Sequence, residues 1–135
     1  MYKHELEIPG HPQGKQRPRY ARASGVVYTP TETKAYEKKV KALWWQSGGE
    51  TLHGAVRLDV VAYYEIPKST PKAAQMAMLD GTRVPAKKPD IDNVIKIIMD
   101  GLNGAAYDDD KQVVWTTGRK VYAAEPCVKI KITEL

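Results

Sequence analysis

The sequence contains one cysteine, Cys127, in 135 residues. A single cysteine cannot form a disulfide within the chain. No apolar segment approaches the ~20 residues that a membrane-spanning helix needs. The first ten residues, MYKHELEIPG, carry charges where a secretion signal needs an apolar run. We therefore expect a cytoplasmic protein with no role inside a membrane.

Zinc-ligand spacing, internal repeats and linkers are also absent. His4, His11 and His53 are scattered along the chain and have no partner pattern typical of a zinc site or a nucleophile, so we assign them no role. A chain of 135 residues fits one domain with a single core. We expect residues 1–135 to form that single domain.

Positive charge is in excess, since the chain has 21 lysines and arginines against 16 acidic residues, a net charge of +5. The acidic residues are unevenly distributed. The 21 residues from Asp90 to Asp110 contain six aspartates and one lysine, a charge of −5, so the rest of the chain carries +10. This distribution favours a protein that binds a polyanion and presents metal ions to it.

Alternating apolar residues predict four strands. They cover Glu5–Ile8, Ala55–Ile66, Val113–Tyr122 and Val128–Ile132, with Gly118 as a bend or bulge. Helical spacing predicts one helix from Thr31 or Thr33 to Gln46, with Tyr36 and Trp44 in the core, and a second from Asp90 to Leu102. Residues 68–88 read as a mobile connection with one helical turn around Ala73–Met78. The predicted fold is α+β, with a mixed sheet of about four strands and two main helices.

The second helix carries the candidate chemistry. Asp90 is a good N-cap, and Asp92, Lys96 and Asp100 follow each other at i, i+4 and i+8 on the polar side. Asp90 and Asp92 at a helix N-terminus repel each other unless a cation joins them. Mg²⁺ is the natural cation, since it prefers oxygen ligands and binds through one or two carboxylates.

Three further aspartates, Asp108 to Asp110, stand directly before the strand that begins at Val113. The start of this strand can return beside the helix and add a third carboxylate to the first two. Two metals ~3.5–4 Å apart would then activate a water and stabilise the leaving oxygen in a phosphoryl displacement. Lys96 would neutralise charge on the phosphate or orient the water.

Each acidic feature has a simpler interpretation when taken alone. Asp90 can be only a cap, the Asp92-Lys96-Asp100 stripe a surface ion-pair ladder, and the Asp108–Asp110 run a solvated turn. That run does not match a calcium-binding EF-hand, because the ligand spacing, the glycine and the closing glutamate are missing. The conjunction of all three features favours a functional site.

A basic segment from Gly10 to Arg22 is the candidate nucleic-acid contact. It contains Lys15, Arg17, Arg19 and Arg22 and no acidic residue. In an extended chain the first three would point the same way at spacings of ~6.6 Å, which suits a phosphate backbone. Tyr20 and Tyr28 could stack on exposed bases. A solvated basic loop remains the alternative.

These motifs resemble the signature of the RusA family of Holliday junction resolvases. The resemblance rests on Lys88-Pro89-Asp90-Ile91-Asp92-Asn93-Val94-Ile95-Lys96, on Asp100-Gly101-Leu102-Asn103-Gly104, and on Tyr107 through Asp109-Asp110-Lys111-Gln112-Val113. Gly14-Lys15-Gln16-Arg17-Pro18-Arg19 and Tyr28-Thr29-Pro30 are similar to the N-terminal part of that family, so the resemblance covers most of the chain.

The resemblance implies a homodimeric, Mg²⁺-dependent endodeoxyribonuclease that resolves four-way DNA junctions by paired symmetric nicks. It maps the essential carboxylates to Asp90, Asp92 and Asp110, with Asp109 as the alternate because Asp108 adds a third acid to the run. It maps the essential lysine to Lys96. A nucleoid-associated location and a phage or prophage origin are also implied.

Two other functions remain open. Pro89-Asp90 followed by Asp109-Asp110-Lys111 superficially matches the PD-(D/E)xK nuclease pattern, which would make Lys111 the catalytic lysine. The chain could also be a non-catalytic DNA-binding protein, although carboxylates near a phosphate backbone weaken binding.

Overall fold

The computed structural model describes all residues, 1–135. In chain order its elements are β1 (Lys3–Pro9), β2 (Arg19–Ala21), β3 (Val26–Tyr28), α1 (Thr31–Gln46), β4 (Val56–Glu65), α2 (Lys72–Leu79), α3 (Ile91–Leu102), β5 (Val113–Ala123) and β6 (Cys127–Glu134). A single 3₁₀ turn, Asp110–Gln112, precedes β5. No helix combines the length and the apolarity needed to cross a membrane.

The main sheet has four strands in the order β1-β6-β4-β5. β4 and β5 are parallel, whereas β6 pairs antiparallel with both β1 and β4. The predicted α+β fold with a mixed four-stranded sheet is therefore confirmed. β2 and β3 form a separate two-stranded hairpin that the sequence did not predict.

One face of the sheet is buried against helices α1 and α3. Strand β4 shows the strict alternation of buried and half-buried residues that this packing requires. Tyr36 and Trp44 of α1 are buried as predicted. The two helices approach closely at Gly101, where an added Cβ would lie 2.9 Å from the Cβ of Val40. The buried face of α3 consists of Val94, Ile97, Ile98, Gly101 and Leu102.

Gly118 does not mark a bulge, contrary to the prediction. Its pairing with Val60 continues the regular β4–β5 register, and the only register shift lies between Val56 and Arg57. The glycine instead makes room for α3, since an added Cβ would lie 2.7 Å from Cδ1 of Ile95. It therefore lets the helix carrying the candidate carboxylates lie close to β5.

The predicted connection at residues 68–88 contains more helix than one turn. Helix α2 spans eight residues from Lys72, directly after Pro71. Proline is well suited to a helix start because its missing N–H needs no partner there. The chain then runs through residues 80–90 to the N-terminus of α3 without further regular structure.

Candidate active site

The first two candidate carboxylates lie at the exposed N-terminus of α3. Asp90 is the N-cap residue, but its side chain makes no capping hydrogen bond. Asp92 lies in the first turn, where its Oδ1 accepts a hydrogen bond from the N–H of Asn93 at 2.9 Å. Both side chains are exposed and keep oxygen lone pairs free for a ligand.

Tyr64 of β4 fixes the start of this helix. Its hydroxyl donates a hydrogen bond to the carbonyl of Pro89 at 2.6 Å. Burial, followed by the nearby charge of Asp90, raises the pKa of Tyr64 to about 12. The hydroxyl therefore remains protonated at neutral pH and continues to donate its hydrogen bond to the Pro89 carbonyl.

The basic segment packs against the same helix N-terminus. The N–H of Lys15 donates to the carbonyl of Asn93 at 2.9 Å. Gly14 permits this contact, because an added Cβ would lie 2.9 Å from the Cβ of Pro89. A polar cleft of about 550 Å³ lies between the segment and the helix, and Asp90 and Lys88 line it. The basic segment and the acidic N-terminus of α3 thus form two adjacent walls of this cleft.

Lys96 connects α3 to the acidic turn before β5. Its Nζ lies 3.0 Å from Oδ1 of Asp100 and 3.7 Å from Oδ2 of Asp110. Asp92 stands one helical turn away on the same side of α3, ~6 Å from Lys96 between Cβ atoms. The lysine is half-exposed, so its ammonium group faces solvent beside two carboxylates.

The three consecutive aspartates have three different environments. Asp108 pairs with Nδ1 of His53 at 2.8 Å. Asp109 caps the 3₁₀ turn and accepts a hydrogen bond from the N–H of Lys111. Asp110 is the member of the run that lies beside Lys96. Of the three aspartates, only Asp110 therefore forms an ion pair with Lys96.

Gln112 anchors this acidic turn, a role that was not predicted from the sequence. Its Oε1 accepts hydrogen bonds from the N–H groups of Asp108 and Asp109 at 2.8 and 2.9 Å. Its Nε2 donates to the carbonyls of Leu52 and Gly54. The spacing of Asp109 and Gln112 is that of a capping box, which is the sequence signal that could have identified the residue.

Lys15, predicted as a DNA contact, is engaged within the protein. Its Nζ lies 2.8 Å from Oε2 of Glu37 and 3.0 Å from Oδ2 of Asp100. Burial by itself would lower the pKa of Lys15, but the hydrogen bonds to Glu37 and Asp100 outweigh burial and raise the pKa above its usual value. The side chain is therefore a stable cation within an ion-pair network.

The three arginines of the basic segment have the opposite character. Arg17, Arg19 and Arg22 are exposed, and none of them pairs with a carboxylate. Arg19 lies in the hairpin directly opposite Tyr28. Tyr20, one residue further along β2, is 63% exposed. The hairpin therefore presents guanidinium and phenol groups to solvent.

The structure does not gather the candidate carboxylates into a closed metal site. No group of three or more His, Cys, Asp or Glu side chains has an arrangement that could hold a metal ion by itself. The contacts bring Asp110 to Lys96, while Asp90 and Asp92 remain at the helix start. The available ligands are carboxylates, which suit a hard cation that keeps part of its water shell.

Comparisons with known proteins place the chain in a family. Residues 9–133 match the family described as Endodeoxyribonuclease RusA. The chain is also 35% identical over 136 residues to the uncharacterized protein YqaN of Bacillus subtilis (strain 168), an alignment that covers 97% of this chain and 96% of YqaN. The chain therefore belongs to the RusA family of endodeoxyribonucleases, which act on branched DNA and resolve Holliday junctions by hydrolysing phosphodiester bonds.

Proposed function

We propose that this protein is a Mg²⁺-dependent resolvase that cuts four-way DNA junctions by paired, symmetric nicks. Asp90, Asp92 and Asp110 serve as the metal ligands, with Asp109 as the alternate third ligand, and Lys96 contacts the scissile phosphate. The observation that carries this proposal is the position of the Lys96 ammonium group, 3.7 Å from Asp110 and on the same side of α3 as Asp92.

The carboxylates fit a divalent metal by their chemistry and exposure. RusA resolvases generally depend on a divalent metal. Asp90 and Asp92 have free oxygen lone pairs, and the helix N-terminus makes it easier to keep both ionised. Mg²⁺ commonly binds through one or two carboxylates, water and substrate phosphates, so a protein cage with many ligands is not required. When bound, such an ion lowers the pKa of water and stabilises charge on phosphate oxygens.

The residues of the chain contribute orientation and charge to hydrolysis. A water oxygen forms a bond to phosphorus and loses one proton to solvent, while the bond from phosphorus to the leaving sugar oxygen breaks and that oxygen takes up a proton from solvent. Lys96 offers a permanent positive charge to the negative charge that develops on the phosphate. Gln112 holds the turn that carries Asp110, so this carboxylate keeps its place next to Lys96.

Arg17, Arg19 and Arg22 form the proposed contact with the DNA backbone. They are exposed, free of carboxylate partners and close in the chain to the segment that packs on α3. Arginine pairs with phosphate in a bidentate manner. The exposed Tyr20 and Tyr28 are proposed to stack on bases that are unpaired at the crossover.

A homodimer is the proposed assembly, because a single active site cannot make two symmetric nicks at once. The start of β5 supports this assembly. β5 is an outer strand of the sheet, and Val114 and Trp115 near its start are 63% and 51% exposed. An exposed segment of an outer strand with apolar side chains is a template for pairing with another strand. Antiparallel pairing of two copies of β5 would relate their active sites by two-fold symmetry.

The test is cleavage of a labelled synthetic four-way junction with and without Mg²⁺. We expect paired nicks at symmetry-related positions that require the metal. Asp92→Asn is expected to bind the junction as well as the wild type, or more tightly because repulsion from phosphates is removed, and to make no nicks. Circular dichroism of the variant confirms that it is folded. Metal-independent cleavage by the wild type, or cleavage by folded Asp92→Asn, would contradict the proposal.

The two alternative functions are less well supported. A PD-(D/E)xK nuclease places its acid and lysine on a strand, whereas Asp109 is the N-cap of a 3₁₀ turn and Lys111 lies within that turn. That mechanism would also leave Lys96 without a function. A protein that only binds DNA would have little use for exposed carboxylates beside its basic segment, and in the junction assay it would bind without Mg²⁺-dependent products.

A further inference from the structure

Five side chains form a continuous line of alternating charge from α1 to the acidic turn. In order they are Glu37, Lys15, Asp100, Lys96 and Asp110. The two oxygens of Asp100 are divided between the two lysines, with Oδ2 3.0 Å from Nζ of Lys15 and Oδ1 3.0 Å from Nζ of Lys96. Asp100 therefore joins the basic segment to the candidate catalytic lysine.

The two ends of this line differ in burial. The side chains of Lys15, Glu37 and Asp100 are each about one-fifth exposed, whereas the side chain of Lys96 is 51% exposed. Partly buried ion pairs are screened less by solvent than exposed ones. The inner three residues therefore form the fixed part of the line, and Lys96 is the accessible end.

The division of Asp100 between two lysines has an electrostatic consequence for Lys96. If Asp100 paired with Lys96 alone, its charge would be fully directed at that ammonium group and would hold it away from a phosphate. Lys15 pairs with one oxygen of Asp100, and its positive charge offsets part of the negative charge that Lys96 experiences. Lys96 is thereby held in place and still has charge to offer to Asp110 and to a substrate.

The contact also limits the freedom of a long side chain. A lysine with no partner samples many rotamers, and fixing it in one of them costs conformational entropy. Asp100 lies one turn after Lys96 on α3, and the backbone of Lys15 is fixed by its hydrogen bond to Asn93. Much of the ordering of Lys96 is therefore complete before DNA arrives.

We propose that Asp100, held by Lys15, is a positioning residue that sets the Lys96 ammonium group for the scissile phosphate. This inference rests on the proposed function, in which Lys96 contacts that phosphate. It assigns Lys15 to the support of the active site, and it leaves the arginines of the same segment as the contacts with DNA.

The experiment compares Asp100→Asn, Asp100→Glu and Lys15→Gln with the wild type. Two quantities are measured for each variant: the single-turnover cleavage rate with Mg²⁺ at saturating enzyme, and the junction Kd without divalent metal. We expect the rate to fall roughly 10-fold to 100-fold in Asp100→Asn and Lys15→Gln, as displacement of a reacting group by about 1 Å does. The Kd is expected to stay within about twofold, because positioning affects the chemical step more than binding.

Rescue and coupling separate positioning from a general structural role. Asp100→Glu keeps a carboxylate and is expected to recover at least part of the lost rate. In the double variant Lys15→Gln/Asp100→Asn, the rate is expected to match that of the slower single variant, because the two residues act through one contact. Glu7→Gln is the matched control, since the exposed Glu7 pairs with Lys129 and takes no part in this network, and its rate is expected to equal that of the wild type.

Several outcomes would overturn the inference. One is an unchanged cleavage rate in Asp100→Asn. Another is a rise in the junction Kd large enough to account for the fall in rate. The third is a cleavage rate in the double variant that falls by the product of the two single-variant losses. If Asp100→Asn does not fold, Lys15→Gln and Lys15→Arg decide the matter in the same way, with a low rate expected in the first and a retained rate in the second. A wild-type protein that cuts no junction would contradict the proposed function itself, a result distinct from all of these.

Discussion

Lys96 and Lys111 are the two lysines near the acidic turn, and at the scale of single residues they have different surroundings. Lys96 lies beside Asp100 and Asp110, whereas Lys111 is exposed and makes no ion pair. We expect Lys96→Ala to lower the cleavage rate roughly 10²-fold to 10³-fold, as loss of one charge-stabilising group does. Lys111→Ala is the matched control and is expected to cleave at nearly the wild-type rate. Junction cleavage under single-turnover conditions measures both, and the reverse result would favour the PD-(D/E)xK mechanism.

Lys15 also permits a prediction on stability and its pH dependence. Removal of its charge in Lys15→Met leaves Glu37 and Asp100 without their shared cation, so we expect a loss of roughly 1–3 kcal/mol in the free energy of unfolding at neutral pH. Because the pKa of Lys15 is raised in the folded state, the stabilisation is complete below the ordinary lysine value of 10.5 and is lost as the pH rises through the folded pKa. Urea unfolding of both proteins over this range is the measurement, and a difference that grows at alkaline pH would contradict the assignment.

At the scale of elements, the close approach of α3 to β5 determines where the helix carboxylates lie. Gly118→Ala would place a Cβ 2.7 Å from Cδ1 of Ile95 and 3.0 Å from Cγ1 of Ile91. We expect it to lower the free energy of unfolding by roughly 1–3 kcal/mol, as overpacking does. Gly54→Ala is the matched control, because an added Cβ there meets no atom within 4 Å. Urea unfolding compares the two, and equal stabilities would show that the α3–β5 contact adapts without cost.

The elements themselves were largely predictable from the sequence. The alternation in β4 and the apolar stripe of α3 are local patterns, and the structure forms both within one or two residues of the predicted limits. Glycine was harder to interpret. The sequence predicts a bend or bulge at Gly118, because a glycine within a strand commonly marks one, and only the position of the neighbouring helix shows that close packing is the reason. The β2–β3 hairpin was missed because its strands have three residues each, too few for a clear alternation.

At the scale of the whole molecule, the exposed edge of β5 leads to a prediction on assembly. The double variant Val114→Glu/Trp115→Glu puts charges on the proposed contact, and two copies would bring these like charges together. We expect it to be a monomer at concentrations where the wild type is a dimer, as measured by light scattering after size-exclusion chromatography. Val84→Glu, at another exposed apolar position, is the control and is expected to remain dimeric. A wild-type monomer, or a dimeric double variant, would rule out this interface.

The family, the α+β class and the position of each aspartate relative to its own helix or turn could all be predicted from the sequence. These properties follow from short-range spacing and from motifs that are contiguous in the chain. The packing of distant segments selects which of the three consecutive aspartates lies beside Lys96, and it brings Lys15 against Asp100 and Glu37. Such choices depend on contacts between residues 14 to 85 positions apart, and no local pattern encodes which charge will lie next to which.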